Sequence, residues 1–160
     1  MAQKPNPKRR KHIKKSAHFP KITKKNHSVK SDQSPQYNCI AFAADETNRK
    51  WWPILLPDAF WPAGVPYTET PDSFIAAFAT LGYAVCTDDQ YVEGVEKVAL
   101  YTSGGRVKHA AKLIGPDRWA SKLGQQEDIH HKKGAVAGGI YGEPTVYMSR
   151  PRLVAPLPSA

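Results

Sequence analysis

The chain has 160 residues and a formal charge of +9, which suits one domain. No apolar run approaches the roughly 18 residues that a membrane-spanning helix needs, and two cysteines, Cys39 and Cys86, are too few for a disulfide framework. No apolar segment follows the basic start, as a secretory signal would require, so the composition points to a soluble, cytoplasmic protein with reduced thiols.

The charge is unevenly placed. Residues 1–30 hold eleven Lys and Arg and no Asp or Glu, whereas the remaining residues hold 12 basic and 14 acidic side chains. A run such as Lys8-Arg9-Arg10-Lys11-His12-Ile13-Lys14-Lys15 repels itself and has little to bury, so residues 1–30 are expected to be a disordered basic tail. Such a tail suits the phosphate backbone of nucleic acid or an acidic protein surface, or serves only as a solubilising arm. The switch to a globular pattern falls near Ser31 to Tyr37, and residues 31–160 are expected to form one domain.

Within it, Cys39-Ile40-Ala41-Phe42-Ala43-Ala44 reads as a short buried helix capped by Asn38. Trp51 to Pro62 carries three prolines and reads as a long aromatic loop. Thr70 and Pro71 open a second helix, Phe74, Ile75, Phe78 and Leu81 recur at helical spacing, and Gly82 ends it. Tyr83 to Cys86, Val95 to Tyr101, Val107 to Leu113, Arg118 to Leu123 and Thr145 to Met148 read as strands. Ser103-Gly104-Gly105-Arg106 is the hairpin turn between the second and third of these. Helices first and an antiparallel meander after them argue for an α+β fold.

Cys39 at a helix start is where backbone N–H groups and the helix dipole favour a thiolate. Such a nucleophile needs a base, which His109 on the returning hairpin strand supplies, and a third group to orient the imidazole. Ser121 and Asp128 both compete for that role, with Glu127 and His130 nearby in sequence. The backbone N–H of Cys39 is the natural oxyanion donor. Trp51, Trp52 and Trp61 either line a substrate cleft or pack in the core. His130 and His131, adjacent on an extended strand, would point to opposite faces, so no metal site is expected.

This order of Cys39, His109 and Ser121 resembles the papain-like cysteine superfamily, in the broad sense that includes the NlpC/P60-type peptidases. The resemblance runs from Gln33 to Gly124. It implies an α+β fold in which an N-terminal helix bearing Cys39 packs on an antiparallel sheet of about four or five strands. It also implies that Ser121 stands at the position of the orienting Asn and Gln33 at that of the oxyanion Gln. The Asn38-Cys39-Ile40-Ala41 segment departs from that superfamily's usual nucleophile motif, and Ser orients an imidazole less well than Asn. Five segments also resemble an uncharacterised bacterial domain family: Tyr37 to Ala43, Trp51 to Pro53, Phe78 to Tyr83, His109 to Ala111 and Ser121 to Gly124.

Two functions are therefore expected to compete. One is a cysteine hydrolase or acyltransferase of thiol-protease type, acting on a peptide, amide, isopeptide or thioester bond without a cofactor. The other is a non-catalytic binding module, adaptor or immunity-type protein whose basic tail holds nucleic acid or an acidic partner. Delivery by a signal-independent secretion apparatus is compatible with either.

Overall fold

The structure is a computed structural model, and it describes residues 10–57 and 59–152. Its frame grows from one hairpin. Strands β5 (Val95–Ser103) and β6 (Arg106–Gly115) are joined at Gly104 and Gly105, whose φ angles of 59° and 77° are the left-handed values a tight hairpin turn demands. Asp117, at φ 46°, turns the chain from β6 into β7 (Arg118–Lys122). With β1 (His27–Val29), β4 (Ala84–Cys86), β8 (Asp128–His131) and β9 (Glu143–Pro151), these make a seven-stranded antiparallel sheet of order β1-β8-β7-β6-β5-β9-β4.

Only two helices are present among the described residues, α1 (Cys39–Ala43) and α2 (Pro71–Ala79). The papain-like α+β expectation is thereby overturned: the molecule is mostly β. Asn38 caps α1 as read from the sequence, its Oδ1 accepting the Ala41 N–H at 3.1 Å. The helix then stops after five residues. Asp45 turns left-handed at φ 63° and the Glu46 N–H bonds back to the Ala41 carbonyl at 2.8 Å. The Pro-rich segment also differs from a plain loop, since β2 (Lys50–Trp51) and β3 (Ala59–Phe60) pair there in parallel.

The sheet is covered on both faces. On one, α1 and α2 enclose Val98, Leu100, Ala110 and Met148 with Phe74, Phe78, Trp51 and Trp61. On the other, Ala99, Tyr101, Ala111, Leu113, Trp119 and Ile129 are covered by Ile13, Phe19 and Ile22 and by Val136, Ala137 and Tyr141. Strands buried on both sides read as unbroken apolar runs, as Val98-Ala99-Leu100-Tyr101 does.

Residues 10–30 are thus part of the fold, contrary to a tail. Ile13, Phe19 and Ile22 are buried, and β1 pairs with β8 through His27↔His131 and Val29↔Ile129. Arg10 locks the near end through two bonds to the buried Glu127, at 2.6 and 2.9 Å. Three apolar side chains, spaced among the lysines, dock the segment on the sheet face that Val136, Ala137 and Tyr141 also help to cover. Residues 1–9 of the expected tail lie outside the described residues. No helix among the described residues is long and apolar enough to cross a membrane.

Candidate functional site

Cys39 and His109 sit on different faces of the sheet. Cys39 lies in the helical layer beside Ala110 and Leu100. His109 pairs across the sheet with Tyr101 and so shares the opposite face. Its ring stacks on Tyr141, with centroids 4.0 Å apart, and meets Tyr101 edge-on. Neither ring nitrogen bonds the thiol: Nε2 is engaged with Ser121, and Nδ1 has no hydrogen-bond partner. Cys39 is buried, and burial pushes its thiol up to about 11 despite the N–H groups of Ala110 and Ile40 that favour the thiolate. This is the opposite of an activated nucleophile.

His109 belongs instead to a buried chain of hydrogen bonds. His131 Nδ1–H donates to the Lys132 carbonyl at 2.9 Å, which leaves its Nε2 to accept from Ser121 Oγ–H at 2.7 Å. Ser121 Oγ in turn accepts from His109 Nε2–H at 2.9 Å. Both histidines are held neutral. Burial lowers His109 well below the ordinary imidazole value, helped by His131, and burial takes His131 down to about 4. Ser121 thus joins His109 to His131 rather than to the Cys39 thiol.

The other expected site residues are dispersed. Asp128 faces the helical layer, where its carboxylate accepts from the Tyr37 hydroxyl at 2.8 and 2.9 Å. Lys122, paired across from Asp128, is fully buried and donates to the carbonyls of Ser34 and Gly124 at 2.8 and 2.6 Å. Gln33 is exposed and bonds to Glu127, far from an oxyanion role. Trp51 and Trp61 are core residues. The first meets Phe60 edge-on and donates its indole N–H to Glu46; the second donates to the Pro66 carbonyl at 3.0 Å. Trp52 borders an open cleft, with Ile54, Tyr67 and Arg106. Among the described residues no group of three His, Cys, Asp or Glu is arranged to hold a metal ion.

What the fold does gather is positive charge. All eight Lys and Arg of residues 10–30 are exposed. Arg10 pairs with Glu127 and Lys21 approaches Glu143, while Lys11, Lys14, Lys15, Lys24, Lys25 and Lys30 have no ion-pair partner among the described residues. At the β1–β8 edge they are joined by Arg118 and Lys132, also unpaired. The sequence signalled the lysines of the segment. It carried no sign of Arg118 or Lys132, which only the antiparallel pairing of β1, β8 and β7 brings alongside.

These features define a mostly-β domain with a two-sided sheet, a buried histidine relay and one basic edge. Residues 28–149 match the family described as Domain of unknown function (DUF7689), and the chain belongs to that family. No curated protein and no solved structure matches it.

Proposed function

We propose that this domain is a non-catalytic binding module whose basic edge engages the phosphate backbone of nucleic acid. The observation that carries this reading is the docking of residues 10–30. Ile13, Phe19 and Ile22 bury themselves, so the lysines between them are held as a fixed surface without a single acidic side chain in the segment. A cation fixed beforehand loses less entropy on meeting a phosphate than one on a free chain. The thiol chemistry of the competing hydrolase reading lacks support, because neither ring nitrogen of His109 bonds the Cys39 thiol and burial raises rather than lowers the thiol pKa. A cytoplasmic setting goes with this function, both cysteines being free thiols.

The test is binding of a labelled oligonucleotide across a salt series, with wild type and Cys39→Ala. Affinity that falls steeply with salt and is unchanged in Cys39→Ala is expected. Failure to bind single- or double-stranded oligonucleotides, with binding to polyglutamate instead, would replace nucleic acid by an acidic protein surface. Loss of binding in a folded Cys39→Ala variant would return attention to the thiol.

A further inference from the structure

We propose that the cleft between β1, β8 and the β6–β7 turn is a phosphate subsite, in which Lys25, Arg118 and Lys132 hold one phosphodiester of the bound strand. This rests on the nucleic-acid reading above and gives it a location. The cleft has a volume of about 400 Å³ and an open, polar mouth. Its cations come from three places in the sequence. Lys25 lies just before β1, Arg118 opens β7 after the turn, and Lys132 follows β8.

The backbone beneath them is well tied. Asn26 closes the turn before β1 by accepting the Thr23 N–H at 2.8 Å and donating to the Lys21 carbonyl at 2.9 Å. The Lys132 N–H donates to the Asn26 carbonyl at 2.9 Å, which joins the end of β8 to the start of β1. The one carboxylate in the lining, Asp117, is engaged by the backbone N–H of Lys133 at 2.9 Å. It keeps its negative charge, but forms no ion pair with Lys25, Arg118 or Lys132, and none of these three has an ion-pair partner among the described residues.

Several cations outside this cleft and outside residues 10–30 are held by carboxylates. Lys97, Arg106, Lys112, Lys133 and Arg150 each lie within 3.5 Å of a carboxylate. Unpaired cations converging on one concavity are what an anion site needs and what folding alone does not. His130 lies in the same cleft as a natural reporter. Burial lowers its ring below the ordinary value, and so do the charges of Lys30 and Arg118. A phosphate placed among these cations would raise it again.

The experiment uses the full chain and two double variants, Arg118→Ala/Lys132→Ala in the cleft and Lys14→Ala/Lys15→Ala outside it. Inorganic phosphate is titrated while the His130 ring is followed by NMR, and a labelled oligonucleotide is titrated over a salt series. In wild type, phosphate is expected to shift the His130 signals and raise its pKa, and in the cleft variant it is not. The cleft variant should also lose about tenfold in oligonucleotide affinity, with the salt slope reduced by about two contacts.

Unchanged oligonucleotide affinity in the cleft variant, with loss in Lys14→Ala/Lys15→Ala, would overturn the subsite and leave the nucleic-acid reading standing. A phosphate response at His130 with no oligonucleotide binding in any form would support the anion site and overturn the nucleic-acid reading. No response in either titration overturns both.

Discussion

Arg150 and Lys112 on the helical flank, and Lys25, Arg118 and Lys132 at the β1–β8 edge, are the same kinds of side chain in opposite circumstances. The first two are largely covered. Arg150 Nε donates to Glu96 at 2.6 Å and its Nη1 to the Leu81 carbonyl at 2.6 Å, while Lys112 sits 2.5 Å from Asp45. Their charge is consumed inside the protein. The second group stands in solvent, and none of its members forms an ion pair among the described residues. A cation that loses water must be paid back locally by a partner, whereas an exposed one keeps its hydration until a ligand displaces it. The helical flank therefore uses its charge within the fold, and under the proposed function the edge leaves its charge open to a partner.

The comparison breaks hardest at the helical layer. Phe74 is fully buried, and Trp52 and Trp61 both meet its ring edge-on. Phe74→Ala should cost ~3–5 kcal/mol in urea unfolding. A loss below 1 kcal/mol would mean that the helices contribute little to the core. Glu96→Ala should cost about 1.5–3 kcal/mol, since it leaves Arg150 and Lys112 short of a partner. An unchanged midpoint would place these pairs with ordinary surface ion pairs.

A third difference concerns histidines. His109 and His131 are neutral because they are buried, so the unfolded chain protonates first. Their contribution is complete above the ordinary value of 6.5 and is lost as pH falls below it, until His131 itself titrates near 4. The slope is about 1.4 kcal/mol per pH unit for each histidine. Urea melts at several pH values should show it, and a flat profile between neutral and mildly acid pH would contradict the neutral relay. The smallest effect on stability belongs to the edge. Lys24→Glu/Lys25→Glu should shift unfolding by no more than ~0.5 kcal/mol while sharply weakening oligonucleotide binding. A large loss of stability would show that these lysines hold the fold together after all.

Local patterns were the legible part of the chain. Asn38 as a cap, Pro71 at a helix start, Gly104-Gly105 in a hairpin and the apolar run of Val98 to Tyr101 each act through neighbours a few residues away. β8 was legible only as an extended His130-His131 pair, because Asp128-Ile129-His130-His131 has too few apolar residues to announce a paired strand without β7 and β1 on either side. The Cys39–His109 pairing failed for a related reason. Side chains alternate along a strand, so a shift of one residue decides the face. The bulge in β6 between His109 and Val107, opposite Tyr101 and Thr102, is not visible in residue types.

By itself the sequence determined the composition of the basic segment, the helix caps, the tight turns and the strands of the central hairpin, since these depend on backbone preferences and short-range bonds. Only the tertiary structure decided that residues 10–30 pack rather than trail. Burial of Ile13, Phe19 and Ile22 stabilises the segment only once Tyr101, Ala111 and Trp119 form a face to receive them. It likewise decided that Ser121 joins two histidines, and that Lys25, Arg118 and Lys132 share one cleft. Proximity between residues so far apart along the chain is a property of strand pairing and of the whole sheet.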